Sequence, residues 1–270
     1  MVALVLPRLV SFEGSARRSA SVAERNAAAL RSAYWLVLIS GFVEPLVYLL
    51  SIGVGVGALV GDLTLPSGAV VDYAAFVAPA MLASAAMSGA LSETTFNFFG
   101  KMKYMRLYEG MLATPVKPFE IALGELAWAM ARGSLYSAAF LVVMVALDLT
   151  TAGRALVAFP AAVLVGFAFG SLGMALSTFM RSWQDFDLMG SVQFALFLFS
   201  GTFVPAESYH PALRWLVEVT PLYRAVDLIR GISIGAEEVL GGLIDVGYLL
   251  LVTVAGLLIA GRRMTTLLCK

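Results

Sequence analysis

Long apolar runs alternate along the chain with short polar stretches rich in Arg and Lys. At 1.5 Å of rise per residue, a helix of about 20 apolar residues crosses a hydrocarbon core of about 30 Å. Six runs meet that condition and predict transmembrane helices. Span one covers Tyr34 to Val60, span two Tyr73 to Phe96 and span three Phe119 to Leu147. Span four covers Ala155 to Met180, span five Leu188 to Val204 and span six Leu240 to Ala260. The stretch 7–33 carries Arg8, Arg17, Arg18, Arg25 and Arg31 and is alanine-rich from Ser19 to Ser32, the pattern of a helix lying along a membrane surface.

An even number of spans puts both ends on one side, and the distribution of Lys and Arg says which. The amino-terminal arm, the loop between spans two and three (Lys101, Lys103, Arg106, Lys117), Arg181, and the tail (Arg262, Arg263, Lys270) hold most of the 18 basic residues. The positive-inside rule makes that face cytoplasmic. The opposite face has Arg154, Arg214, Arg224 and Arg230, and Arg132 falls within span three. The division expected is an arm, 1–33, a membrane domain of six spans, 34–260, and a tail, 261–270. No cleavable leader is read at the start, so span one serves as its own insertion signal.

Composition agrees: 60% of residues are apolar and 13% charged, against roughly 45–50% and about 25% in soluble domains. Formal net charge is zero, which leaves no electrostatic basis for binding nucleic acid. The single cysteine, Cys269, excludes an intrachain disulfide and a thiolate metal site, and the single histidine, His210, excludes a His-ligated metal. No G-x-x-x-x-G-K-[ST] loop and no G-x-S-x-G elbow occur, so neither a nucleotide site nor a serine hydrolase is expected. Gly53, Gly57 and Gly61 share a helix face, as do Gly166, Gly170 and Gly173 in span four; both read as surfaces for close helix packing.

Four charges sit where lipid penalises them: Glu44, Glu93, Glu125 and Arg132. Each costs on the order of 2.5–3.5 kcal/mol at mid-bilayer unless it faces the bundle interior and has a partner. Glu125 and Arg132 are two turns apart on one face, compatible with a shared network through an intermediary. Glu44 precedes Pro45, which favours a kink. These charges are either interhelical pins or the lining of a path. Phe194, Phe197 and Phe199 form a stripe in span five that fits lipid or core as well as substrate.

The segment Lys101 to Pro115 places Met105, Tyr108, Met111 and Leu112 at helical spacing with basic residues between them, which predicts a short amphipathic helix ending near the proline. From here the chain resembles the permease subunits of type-2 ABC exporters, especially their NodJ-like branch. The likeness rests on Ser92-Glu-Thr94, Phe99-Gly-Lys-Met102, Tyr108-Glu-Gly-Met-Leu-Ala-Thr-Pro115 and Gly124-Glu-Leu-Ala-Trp128. Glu44-Pro45, Gly170-Ser-Leu-Gly-Met174, Phe199-Ser-Gly-Thr-Phe-Val-Pro205 and the run from Pro221 to Arg230 extend it, in order, over nearly everything after residue 25. Glu207 to Trp215 departs from the pattern.

The resemblance implies an all-α integral membrane protein with six spans, an N-terminal interfacial helix, a cytoplasmic coupling helix at about 101–115 and a partly re-entrant external segment at about 205–239. It implies two ATP-binding ABC subunits and a second permease as partners, with ATP and Mg on the ATPase rather than on this chain. Tyr104, Arg106, Glu109 and Leu112 would transmit movement from the ATPase. Tyr48, Phe194 and Phe197 are candidates for the substrate path. The chain would then export an amphipathic or lipid-linked molecule from a bacterial cytoplasmic membrane without an active site of its own. Two other classes fit the composition: a proton-driven carrier using Glu44, Glu93 or Glu125, which would work alone and ignore ATP, and a non-transporting scaffold.

Overall fold

A computed structural model of the chain describes residues 12–30, 43, 46–64, 70–235 and 239–268. Glu44, Pro45 and the first part of span one lie outside the described residues. Ten helices and one small hairpin make up the described part: α1 Phe12–Leu30, α2 Leu46–Val60, β1 Asp62–Thr64, β2 Val70–Asp72 and α3 Tyr73–Tyr104. Then follow α4 Leu107–Leu112, α5 Pro118–Ala146, α6 Ala152–Ser177 and α7 Asp185–Leu198. The chain closes with α8 Pro211–Val219, α9 Pro221–Ile234 and α10 Val239–Leu268.

Four of these, α3, α5, α6 and α10, are long and apolar enough to cross a membrane. They match spans two, three, four and six to within a few residues, except that α3 and α10 each run about two turns further. Their ends follow from local chemistry. Pro118 opens α5 where a missing N–H costs nothing, and Thr151 Oγ1 caps α6 by accepting from Arg154 N at 3.4 Å. Leu156, Leu188, Leu240 and Leu251 present at least 67% of their surface outwards. Such a belt of large apolar side chains suits lipid and not water.

Span five does not hold its expected length. α7 stops at Leu198, at 14 residues, roughly 21 Å of helix and short of a full hydrocarbon thickness. Ser200 Oγ bonds Phe197 O at 2.9 Å and Thr202 Oγ1 at 2.6 Å, diverting the backbone from helix. Gly201 follows at φ +71 and gives its carbonyl to Arg230 NH2 at 2.8 Å. The segment expected to be external is also helical where described: α8 is amphipathic, and α9 is wedged between α3, α6 and α10 with Leu222, Val226 and Ile229 buried. The two-stranded hairpin joining α2 to α3, with Asp62 opposite Asp72, is strand that an all-helical reading omits.

Small residues set the packing. On α6, Gly173 lies where a Cβ would meet Thr94 Oγ1 at 2.6 Å, Gly170 faces Leu126 and Gly166 faces Met130. Gly256 on α10 brings that helix against the Ser171 backbone, with 2.7 Å available to a Cβ. The described part of the glycine face expected on α2 makes no close approach to another helix of this chain. Gly57 meets only Ile52 O of its own helix, Gly61 has open space, and Gly61 ends the helix at φ +69. The glycine cluster instead falls in a widened π-helical stretch, Ser51–Gly57.

α1 does not lie free on a surface; it docks on α5. Arg18 forms a two-pronged ion pair with the buried Glu120, at 2.7 Å and 2.6 Å, and Val22 is 4% exposed. Gly124 permits this approach, since a Cβ there would sit 2.6 Å from Ser19 O and from Val22 Cβ. Overpacking costs about 1–3 kcal/mol, so Gly124→Leu should undock α1 and speed tryptic cleavage at Arg17 and Arg18. Gly247→Ala, where a Cβ meets nothing within 4 Å, should leave the cleavage rate unchanged.

Candidate functional site

α3 and α5 run antiparallel, and two ion pairs of opposite sense cross between them. Glu93 of α3 pairs with Arg132 of α5, and eight residues further along α3, Lys101 Nζ reaches Glu125 Oε2 at 2.7 Å. Glu125 and Arg132 therefore do not share a network; each turns to its own partner on α3. Among the described residues, no His, Cys, Asp or Glu cluster could hold a metal ion.

Glu93 sits in a second π-helical stretch, Glu93–Asn97, where the widened turn rotates its carboxylate towards α5. Its Oε2 accepts from Asn97 Nδ2 at 2.9 Å, and the Arg132 guanidinium stands 5.7 Å from the Tyr136 ring centre. Both charged residues line a cleft of about 700 Å³ between α2, α3, α5 and α7. Tyr48, Phe194 and Phe197 line it too. The structure thus gathers five of the candidate residues at one cavity. Sequence reasoning missed the serines of α3 and Gln193, which bonds Ser88 Oγ at 2.9 Å inside the cleft; Ser84, Ser88 and Ser92, at a spacing of four, were the available signal.

Glu125 occupies a different place. It is 5% exposed and accepts from Asn26 Nδ2 of α1 at 3.0 Å as well as from Lys101, with Arg25 NH2 4.0 Å away. Tyr108 of α4 is fully buried beside it, its ring 5.3 Å from Phe98. The Tyr108 hydroxyl and Glu125 Oε1 are both buried without a well-formed hydrogen bond. Burial first, and the Glu125 charge second, hold the phenol well above its ordinary range. Four elements, α1, α3, α4 and α5, therefore meet at one carboxylate.

The segment 101–115 is built differently from its sequence pattern. Tyr104 belongs to the end of α3, where it stacks on Trp183 at 5.4 Å, and Lys103 Nζ donates to Arg181 O at 2.7 Å. Arg106 takes a left-handed conformation at φ +47, which breaks the chain so that the helix begins only at Leu107. Met105, expected on the apolar face, lies in that turn and is 73% exposed. Leu112 packs towards the core, whereas Arg106 and Glu109 face outwards.

Two measurements check this arrangement. In double-mutant cycles read by thermal unfolding, Glu93→Gln with Arg132→Gln, and Lys101→Met with Glu125→Gln, should each show coupling within about 0.5–3 kcal/mol, whereas Glu125→Gln with Arg132→Gln should add to within about 0.5 kcal/mol. Tyr108→Phe removes a buried unsatisfied hydroxyl whose burial costs about 1–3 kcal/mol; unfolding of the purified chain should occur at an unchanged or higher temperature, never a clearly lower one.

The family described as ABC-2 type transporter matches residues 21–234. The chain is 34% identical to nodulation protein J of Rhizobium leguminosarum bv. trifolii over 228 residues, covering 84% of this chain and 85% of that protein. It is 33% identical to nodulation protein J of Rhizobium meliloti (strain 1021), covering 83% and 84%, and 30% identical to that of Bradyrhizobium diazoefficiens, covering 81% and 82%. Four long apolar helices, a basic end carrying a short outward-facing helix, and a match over most of the length agree: the chain is a NodJ-like permease of the ABC-2 type transporter family.

Proposed function

We propose that this chain is the membrane-spanning half of an ATP-driven exporter in a bacterial cytoplasmic membrane, with both termini and α4 on the cytoplasmic side. In this reading, α2 with the residues before it and α7 complete six spans, and α9 is the re-entrant element on the far side. Two separate ATP-binding subunits, carrying ATP and Mg, dock against α4, and a second permease, identical or paralogous, completes the path. The cargo is hydrophobic, amphipathic or lipid-linked: a drug, a lipid or a lipo-oligosaccharide.

One observation carries the reading. α4 buries Tyr108 beside the Glu125 junction while Glu109 faces outwards, and the helices that meet there, α3 and α5, are the same helices that line the cleft. A push on α4 has a stiff route to the cavity through two ion pairs. ATP favours one state through its differential affinity, exercised on the partner, and the permease follows.

Glu109 and Arg106 are exposed, so reversing their charge leaves the fold within about 0.5 kcal/mol. A like charge placed opposite a partner charge costs several kcal/mol. Glu109→Arg and Arg106→Glu should each weaken co-purification of the ATPase by at least about tenfold and slow ATP-dependent export in inverted vesicles, with an unchanged unfolding temperature. Solute accumulation by the reconstituted chain alone, driven by a pH gradient and indifferent to ATP, would support the carrier instead.

A further inference from the structure

On the basic side the ends of α3, α6 and α10 meet at the turn that joins α6 to α7. Lys103, near the end of α3, donates from Nζ to Arg181 O at 2.7 Å, and Arg263 of α10 reaches Thr178 O with NH2 at 3.5 Å. Each cation also rests on an aromatic face. Lys103 Nζ stands 5.5 Å from the centre of Phe99, and the Arg263 guanidinium 4.4 Å from that of Phe179. Carbonyl dipoles and aromatic faces orient a positive charge without neutralising it. Among the described residues neither Lys103 nor Arg263 forms an ion pair, and Arg263 Nε is buried without a hydrogen-bond partner.

The acids of this turn do not cancel its cations. Asp185 accepts from Arg181 N at 2.7 Å and Ser182 N at 3.2 Å, closing the first turn of α7. Lys103, Arg181, Arg262 and Arg263 stand against Asp185 and Asp187, an excess of two positive charges. Depth sets the surroundings. From Ala152 to Thr178 is roughly 39 Å along α6, and from Val239 to Arg263 roughly 36 Å along α10. A bilayer with its head groups measures about 40–45 Å, so the cations reach head-group level. Leu176, Phe179 and Trp183 turn 42%, 54% and 44% of their surface outwards there, and tryptophan is enriched at that level. Trp183 stacks on Tyr104 of α3 and packs 5.5 Å from Phe186 of α7. Whatever steadies the turn therefore steadies the base of α7.

We infer that the turn 178–183, with Lys103 and Arg263, is a docking surface for an anionic phospholipid of the leaflet on the basic side. The head-group phosphate lies against the two cations, and the acyl chains run along Leu176, Phe179 and Trp183. Charge complementarity selects this occupant: basic pockets between helices at this level take anionic head groups, and the apolar rim suits acyl chains rather than a soluble anion. The surface lies outside the cleft, and the inference needs the chain in a bilayer but not the exporter reading.

The test uses the purified full chain in phosphatidylcholine nanodiscs, with Trp183 as reporter and the other three tryptophans replaced by phenylalanine. A fixed minor fraction of the lipid is brominated along its acyl chains and is either phosphatidylglycerol or phosphatidylcholine. Brominated phosphatidylglycerol should quench Trp183 more strongly at equal content. Lys103→Gln and Arg263→Gln should each cut that preference about fivefold, the loss expected for one cation near an anionic surface. Arg263→Lys should keep most of it. Arg17→Gln, on the exposed face of α1 at the same end of the molecule, should leave it unchanged. Equal quenching by the two lipids would overturn the inference, and so would no quenching by either, which would place the turn in water or under a protein partner. A preference that survives both neutralisations, or falls equally with Arg17→Gln, would also overturn it, since diffuse surface charge would then suffice. The comparison of the two lipids on the otherwise unaltered chain stands by itself should a cation variant fold poorly.

Discussion

Two ion pairs of opposite sense hold α3 against α5, and the rest of the molecule is arranged around that contact. α3 carries a negative charge at Glu93 and a positive one at Lys101; α5 carries the positive Arg132 and the negative Glu125 to meet them. In a bilayer these four charges are tolerable only as pairs, because each alone would cost kcal/mol that apolar packing could not return. The alternation also fixes register. Sliding one helix by two turns brings Glu93 towards Glu125 in one direction and Lys101 towards Arg132 in the other, like against like either way. Buried ion pairs are a weak source of net stability, but specifying a single register is the use for which they are best attested.

From that contact the functional geometry follows. One pair is a wall of the cleft; the other is the floor of a junction that also receives α1 through Asn26 and α4 through Tyr108. The two lie about 10–12 Å apart along stiff helix. A displacement of α4 that moves the Glu125 junction must be carried to Glu93 and Arg132 or be absorbed by breaking Lys101 from Glu125. The second π-helical stretch lies between the two pairs on α3. Such turns interrupt regular hydrogen bonding and are frequent at functional sites, so this is where α3 can yield.

The sequence made the long helices legible because twenty apolar residues in a row admit few alternatives, and it made the α6 glycine face legible because a spacing of three or four has only one geometric meaning there. On α2 the same spacing coincides with a widened backbone, and Gly57 and Gly61 make no close contact with another helix of this chain. Partner choice was not legible. Periodicity put Glu125 and Arg132 on one face, but which of them met Glu93 and which met Lys101 depended on how far α3 continues past its apolar run, and the apolar pattern ends at Phe96 while the helix persists to Tyr104. The start of α4 was hidden for a local reason: nothing in Met105-Arg106 announces a left-handed residue, since Arg is not a residue that favours that conformation. The cleft was half visible. Tyr48, Phe194, Phe197, Glu93 and Arg132 were each plausible alone, and only the tertiary arrangement makes them one surface.

α1 is held at the basic end by side-chain bonds to α5. A helix that only lay on head groups would present its arginines to phosphates and its apolar face to acyl chains. Here Arg18 is spent on Glu120, Asn26 on Glu125, and Val22 on the gap left by Gly124, so the docked face of α1 is committed to α5. Glu120 also accepts from the Lys117 backbone at 3.0 Å, closing the first turn of α5 immediately after the loop that carries α4. α1 is therefore bonded to the first two turns of α5 through Glu120 and Glu125, with Tyr108 of α4 packed beside the second of them. The smallest unit tied together by side-chain bonds at this end of the molecule is α1 with the beginning of α5, and α4 joins it by burying Tyr108 against Phe98.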